Sequence, residues 1–112
     1  MKKEVIINFR MEAFHKWENA FEEVKFLSHL HRHEFYFTLT KEVEHNDRDI
    51  EIILFKRKVM GVLNEIFFDT KLGALNFKNM SCESIAEWLL DIFDLEEAVV
   101  LEDNENGARV RK

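Results

Sequence analysis

Three histidines have the residue type and the spacing of a metal site. His31 and His33 are separated by one residue in a segment with strand-like alternation, and His15 ends an earlier segment of the same kind. Side chains at i and i+2 of a strand point to the same face, roughly 7 Å apart, so this pair can share one ion. With His15 on a neighbouring strand, three neutral imidazoles leave one coordination position open, which is typical of catalytic zinc. The alternative interpretation is a pair of unrelated surface histidines.

The composition restricts the classes of protein to consider. The chain has 112 residues, of which 46% are hydrophobic, enough for the core of a single domain over residues 1–112. A formal net charge of −6 disfavours binding to a phosphate backbone, so we expect no nucleic-acid partner. No segment has the apolar run of a signal peptide or a membrane span, and one cysteine cannot form an internal disulfide. We therefore expect a soluble cytoplasmic protein with no membrane partner.

Period-two alternation of apolar and polar residues predicts strands in the first half and at the end of the chain. The predicted strands span residues 4–14, 31–43, 50–55, 98–101 and 108–112. The polar turn 44–49 would join two of them in a hairpin, and the segment 16–28 is predicted as a loop with a helical turn around 22–25. The run 98–101 is apolar at four consecutive positions, which indicates burial on both faces.

Helical periodicity predicts two helices between these strands. Apolar residues recur at i, i+3, i+4 and i+7 from Val59 to Phe67. A second apolar stripe, from Ile85 to Phe93, follows Ser81, a typical N-cap residue. This order of elements predicts an α+β fold, an antiparallel sheet with two helices packed on one face. The other face, expected to be apolar as well, and the sheet edges would need partners, which a homo-oligomer closed into a barrel would supply.

Several motifs lie in the chain in an order that matches one enzyme family. They are Met11–His15, Leu30–Phe35, Leu75-Asn76, Ser81–Leu89 and Ala98–Glu102. In turn they resemble F-x-A-x-H, L-H-G-H-N/S-Y/F, L-N, P-T-x-E-x-L-A-x-W-I and a closing strand that ends in V-x-E. These are motifs of the 6-pyruvoyl- and 6-carboxy-tetrahydropterin synthases, and the chain is identified as a divergent member of this T-fold family.

The resemblance implies a function as well as a fold. T-fold units join their sheets around a trimer barrel, commonly stacked as a hexamer, with active sites between subunits. By resemblance, His15, His31 and His33 would hold Zn²⁺. Glu102 would anchor the guanidine-like edge of a reduced pterin, and Ser81 would help to recognise the ring. The implied substrate is dihydroneopterin triphosphate or a related pterin, and the implied chemistry is that of a carbon–oxygen lyase in biopterin or 7-deazaguanine biosynthesis. Without the resemblance, Glu102 would be interpreted as a solvated carboxylate at a strand end.

The chain departs from the family at the groups that transfer protons. Leu27 stands four residues before the H-x-H pair, where the family has its catalytic cysteine, and a leucine cannot act as a base. Lys71, Leu72 and Gly73 stand where the family has D-H-H. The residues that match the family's metal- and pterin-binding groups are therefore retained, whereas the residues that transfer protons in the family are absent. Two hypotheses remain: a lyase with a replaced base, and a zinc- and pterin- or purine-binding homologue without turnover.

Three residues are candidates for the missing base, and each has a simpler interpretation. Glu23, like Glu22, lies in the loop before the H-x-H pair, several residues ahead of the cysteine position. His29 has the strand parity of the H-x-H pair, but its position also suits an exposed loop histidine. Cys82 follows a predicted N-cap, where thiol pKa values fall, although it is better explained as a small residue in the first turn of a helix.

Overall fold

A six-stranded mixed sheet forms the centre of the fold, so the predicted α+β class is confirmed. The computed structural model describes residues 1–112. The strands are β1 (Lys3–His15), β2 (His31–Val43), β3 (Phe68–Asp69), β4 (Ala74–Asn76), β5 (Glu97–Glu102) and β6 (Asn106–Arg111). The helices are a 3-10 helix (Glu22–Ser28), α1 (Ile52–Phe67) and α2 (Cys82–Phe93). The strands lie in the order β3-β4-β1-β2-β5-β6.

The two longest strands, β1 and β2, form a continuous antiparallel pair that runs from Lys3 opposite Val43 to His15 opposite His31. On its other side β2 pairs with β5, and β5 pairs with β6, both antiparallel. β4 runs parallel to β1, so the sheet is mixed and the prediction of a wholly antiparallel sheet was wrong. The reason is that the chain between β1 and β4 includes β2, the crossover helix α1 and β3, and a long connection of this kind permits parallel pairing.

The helices α1 and α2 cover one face of the sheet and enclose the core. Aromatic side chains lie at its centre, where the rings of Phe9 and Phe37 stack with their centroids 4.7 Å apart. Each helix contributes a buried stripe at helical spacing: Phe55, Val59 and Leu63 from α1, and Ile85, Leu89 and Phe93 from α2. Burial of each such side chain stabilises the fold by about 1.5–3 kcal/mol. None of the helices has both the length and the apolarity needed to cross a membrane.

The segment 50–55 was predicted to be a strand, and this prediction was wrong because α1 begins at Ile52. The Glu51 carboxylate caps the helix by accepting a hydrogen bond from the Leu54 backbone N–H at 3.0 Å. Phe55 is the first residue of the buried stripe. Residues 52–54 are apolar and exposed, and their composition is that of a short strand. For this reason the sequence pattern did not indicate that a helix begins here. No hairpin follows β2, because both of its edges are occupied by β1 and β5.

The face of the sheet opposite the helices is largely polar, which corrects the expectation that both faces would be apolar. Two ion pairs lie across β1 and β2 on this face: Arg10 with Glu34 and Arg32 with Glu12. In β5 the buried and half-buried residues alternate, and Val99 and Leu101 are only half-buried on the open face. Burial of this strand on both faces is therefore not found within one chain.

We expect Gly107→Ala to destabilise the fold. Gly107 lies in β6 opposite Leu101. A Cβ atom there would overlap the Val100 carbonyl oxygen and lie 2.7 Å from Leu101 Cα, and these backbone atoms cannot move without separating β6 from β5. Urea unfolding should show a loss of more than about 1 kcal/mol.

Gly61→Ala is the matched control, because nothing lies within 4 Å of the corresponding Cβ position in α1. This variant should leave the free energy of unfolding unchanged or raise it by up to about 1 kcal/mol. Equal stability of the two variants would contradict the close packing of β6 on β5.

Candidate metal centre

The register of β1 and β2 brings the three histidines together. His15 pairs with His31 and Ala13 pairs with His33, so all three imidazoles lie on one face at one end of the strand pair. Their ligand nitrogens lie within 4.8 Å of one another. The ring centroids of His15 and His31 are 4.6 Å apart, and those of His31 and His33 are 5.1 Å apart. The structure thus assembles all three predicted ligands.

In each imidazole, Nδ1 faces an oxygen that can only accept a hydrogen bond. The three contacts are His15 Nδ1 to the Met80 carbonyl at 3.0 Å, His31 Nδ1 to the His29 carbonyl at 2.8 Å, and His33 Nδ1 to the Asp103 carboxylate at 2.7 Å. These acceptors assign the proton to Nδ1 in every neutral ring. Each Nε2 then carries a free lone pair, which is the form in which an imidazole binds a metal ion.

Two of these Nε2 atoms, those of His15 and His33, are buried and have no hydrogen-bond partner. Most buried polar atoms are hydrogen-bonded, and one without a partner costs about 1–3 kcal/mol. A cation at the centre of the cluster would satisfy both atoms at once. The residues present therefore fit a metal ion, with neutral nitrogen donors on the inside and hydrogen-bond acceptors on the outside.

Glu102, the last residue of β5, faces the same centre. Its Oε2 lies 3.0 Å from His15 Nε2, and its Oε1 lies 3.5 Å from His33 Nε2. Neither Nε2 atom has a hydrogen-bond partner.

The surroundings favour the ionisation states that metal binding requires. The pKa of His31 lies below its ordinary value, mainly because burial disfavours the imidazolium, and repulsion from His15 and His33 adds to this effect while the His29 carbonyl opposes it. The pKa of Asp103 is also lowered, because its carboxylate accepts hydrogen bonds from His33 and from the Glu34 backbone N–H. A neutral His31 suits a metal ligand, and an anionic Asp103 suits the acceptor that orients His33.

A cavity of about 420 Å³ opens beside the cluster, a size suited to one small molecule. His15, His31 and Glu102 line it. The apolar side chains of Trp17 and Leu27 also line it, and the start of α2 contributes residues 81–83.

The predicted binding residue Ser81 and the candidate base Cys82 both line this cavity, but their polar atoms are already engaged. Ser81 Oγ accepts a hydrogen bond from the Ser84 backbone N–H at 3.1 Å, which confirms it as the N-cap of α2. Cys82 Sγ lies 3.7 Å from Glu102 Oε2. Burial and the Glu102 charge raise the pKa of the Cys82 thiol to about 12, so it stays protonated at neutral pH and is poorly suited to act as a base.

The other two candidates for the base do not line the cavity. Glu23 is exposed in the 3-10 helix, and His29 is exposed with its carbonyl oxygen directed at His31. Leu27 does line the cavity, so an apolar side chain stands where the resemblance leads one to expect a cysteine. Residues 71–73 form a turn after β3, outside the cavity.

Asp103 and the Met80 carbonyl were not predicted from the sequence. Asp103 lies in an acidic turn whose composition is typical of a solvated loop. The signal that could have found it is the pairing of β2 with β5, which places Glu102 opposite Phe35 and its neighbour Asp103 beside His33. The Met80 contact is made by the backbone, and no side-chain pattern predicts it.

Comparison with known proteins supports the fold alone. No family model matches the chain, and no curated protein matches it. A solved crystal structure of an uncharacterized protein from Wolinella succinogenes is similar, with a TM-score of 0.67 and 15% identity, over 100% of this chain and 99% of that one. At this identity the similarity is one of architecture. The fold and the site define the class of this protein as an α+β protein with a cluster of three histidines at one end of its central strand pair.

Proposed function

We propose that His15, His31 and His33 bind one zinc ion, and that the chain is a divergent 6-pyruvoyl- or 6-carboxy-tetrahydropterin synthase acting as a carbon–oxygen lyase. The observation that carries the proposal is the donor set, in which every Nδ1 faces an acceptor and two buried Nε2 atoms have no partner. Three imidazoles suit zinc, whereas magnesium and calcium prefer oxygen ligands. The substrate would be dihydroneopterin triphosphate or a related reduced pterin.

The cavity residues supply the binding groups for such a substrate. The two oxygens of the Glu102 carboxylate can accept a pair of N–H groups from the guanidine-like edge of a pterin. Trp17 and Leu27 offer apolar surface to the ring, and Ser81 holds the start of α2 at the rim of the cavity. Bound zinc would supply Lewis acidity toward an oxygen of the substrate side chain.

A second function, zinc and pterin or purine binding without turnover, is favoured by the residues around the cavity. Leu27 cannot accept a proton, and the raised pKa of the Cys82 thiol disfavours the thiolate. Loss of a general base lowers the rate by about 10²–10⁴-fold while leaving the binding groups intact.

The proposal includes assembly into a homo-oligomer in the cytoplasm. β3 and β6 lie at the two edges of the sheet, and the open face carries half-buried apolar side chains such as Val99 and Leu101. Edge-to-edge joining of several copies would close the sheets into a barrel, as the resemblance to trimeric and hexameric T-fold enzymes implies.

We expect purified protein to carry close to one zinc ion per chain, measured by inductively coupled plasma mass spectrometry. His33→Ala should lose the metal, because two imidazoles remain and Asp103 is left without its partner. His45→Ala is the matched control, since His45 lies in the exposed turn after β2 with 58% of its side chain exposed, and this variant should keep the metal. Wild-type protein prepared without chelator and free of metal would contradict the site, and a different metal in its place would contradict zinc.

Incubation of the zinc-loaded protein with dihydroneopterin triphosphate separates the two functions. Triphosphate release and a change in pterin absorbance, both lost in His33→Ala, would support the lyase. Saturable binding without turnover would support the second function, and the absence of both would contradict the proposal.

With zinc saturating, Glu102→Ala should weaken pterin binding by at least about tenfold, because hydrogen bonds to a charged group are lost. Glu105→Ala, an exposed residue in the following turn, should bind pterin as the wild type does.

A further inference from the structure

We propose that Glu102 is the fourth ligand of the metal ion in the substrate-free protein, so that the site is closed until a bound molecule displaces the carboxylate. This inference rests on the proposed metal site and adds to it a fourth donor from the protein. It also assigns Glu102 a role toward the ion that the family resemblance does not imply.

The distances from the Glu102 carboxylate oxygens to two of the imidazoles suit donors that share one ion. Ligands about 2.0–2.1 Å from a tetrahedral ion lie about 3.3 Å from one another. The two contacts of Glu102 with His15 Nε2 and His33 Nε2, at 3.0 and 3.5 Å, lie on either side of this value. Each carboxylate oxygen therefore already stands near a ligand's distance from one imidazole, Oε2 from His15 and Oε1 from His33.

The hydrogen bonding of His15 also favours a shared ion over an ion pair. Its Nδ1 faces the Met80 carbonyl, and its Nε2, with Glu102 Oε2 3.0 Å away, has no hydrogen-bond partner. Ligands of one ion are directed at the ion and not at each other. With Nδ1 carrying the proton, Nε2 and the carboxylate are both acceptors, and a cation between them removes their repulsion.

The end of β5 is held firmly against β2, which keeps the carboxylate at the cluster. The Asp103 backbone N–H donates to the Glu34 carbonyl at 2.8 Å, and the Glu34 N–H donates back to the Asp103 side chain at 3.0 Å. The Cys82 thiol lies 3.7 Å from Oε2 of the Glu102 carboxylate. An anionic ligand also offsets part of the charge of a divalent ion in a partly buried site, which lowers the cost of burying it.

A carboxylate bound to the ion cannot at the same time accept both N–H groups of a pterin edge. Substrate binding would therefore exchange one partner of Glu102 for another and open a coordination position as it does so. Zinc alone should bind more tightly to the wild type than to any variant that lacks this carboxylate.

The test uses zinc alone. Protein stripped of metal is titrated with Zn²⁺ against a chromophoric chelator, for the wild type, Glu102→Gln, Glu102→Ala and the exposed control Glu105→Ala. Both Glu102 variants should bind one ion with an affinity at least about tenfold lower, and Glu105→Ala should match the wild type. With Co²⁺, the visible spectrum should differ between the wild type and Glu102→Gln. Circular dichroism checks the fold, and the nearly isosteric Glu102→Gln keeps the test decisive if Glu102→Ala does not fold.

Equal or higher zinc affinity in Glu102→Gln, with one ion still bound, would overturn the fourth-ligand proposal and leave the three-histidine site intact. It would mean that Glu102 only pairs with a protonated imidazole. No zinc binding by the wild type would overturn the metal site itself, so the two failures are distinguishable.

Discussion

The antiparallel register between β1 and β2 is the constraint on which the rest of the structure depends. It places His15 opposite His31 and leaves His33 opposite Ala13, so that three imidazoles share one face. The same register pairs Phe9 with Phe37 in the core. A slip of one residue would turn the aromatic side chains of one strand out of the core and its imidazoles away from the cluster. The same register therefore satisfies both the packing of the core and the alignment of the three imidazoles, because both depend on which face each side chain of β1 and β2 points to.

The imidazoles are oriented by segments far from them in the chain. The Met80 carbonyl, just before α2, fixes His15, and Asp103, just after β5, fixes His33. Only the His29 carbonyl, which fixes His31, comes from the same stretch of chain as its ring. The orientation of His15 and His33 therefore depends on the packing of the α2 start and the β5 end against the central strand pair.

Local patterns predicted the parts of this structure that local physics controls. Strand parity placed His31 and His33 on one face, and Ser81 marked the start of α2. The first turn of α1 was missed because residues 52–54 are apolar and exposed, and β4 was missed because three residues are too few to show a period. Asp103 reaches the site through the pairing of β2 with β5, a contact between distant segments that no local pattern encodes. The chemistry of the reaction remains a prediction that depends on the family resemblance.

The most direct test of a metal ion held by these strands is zinc K-edge X-ray absorption on the purified protein. We expect a first shell of four nitrogen or oxygen atoms about 2.0–2.1 Å from the ion, with the outer-shell scattering of three imidazole rings. A sulfur ligand at about 2.3 Å, or scattering from fewer than two imidazoles, would contradict it.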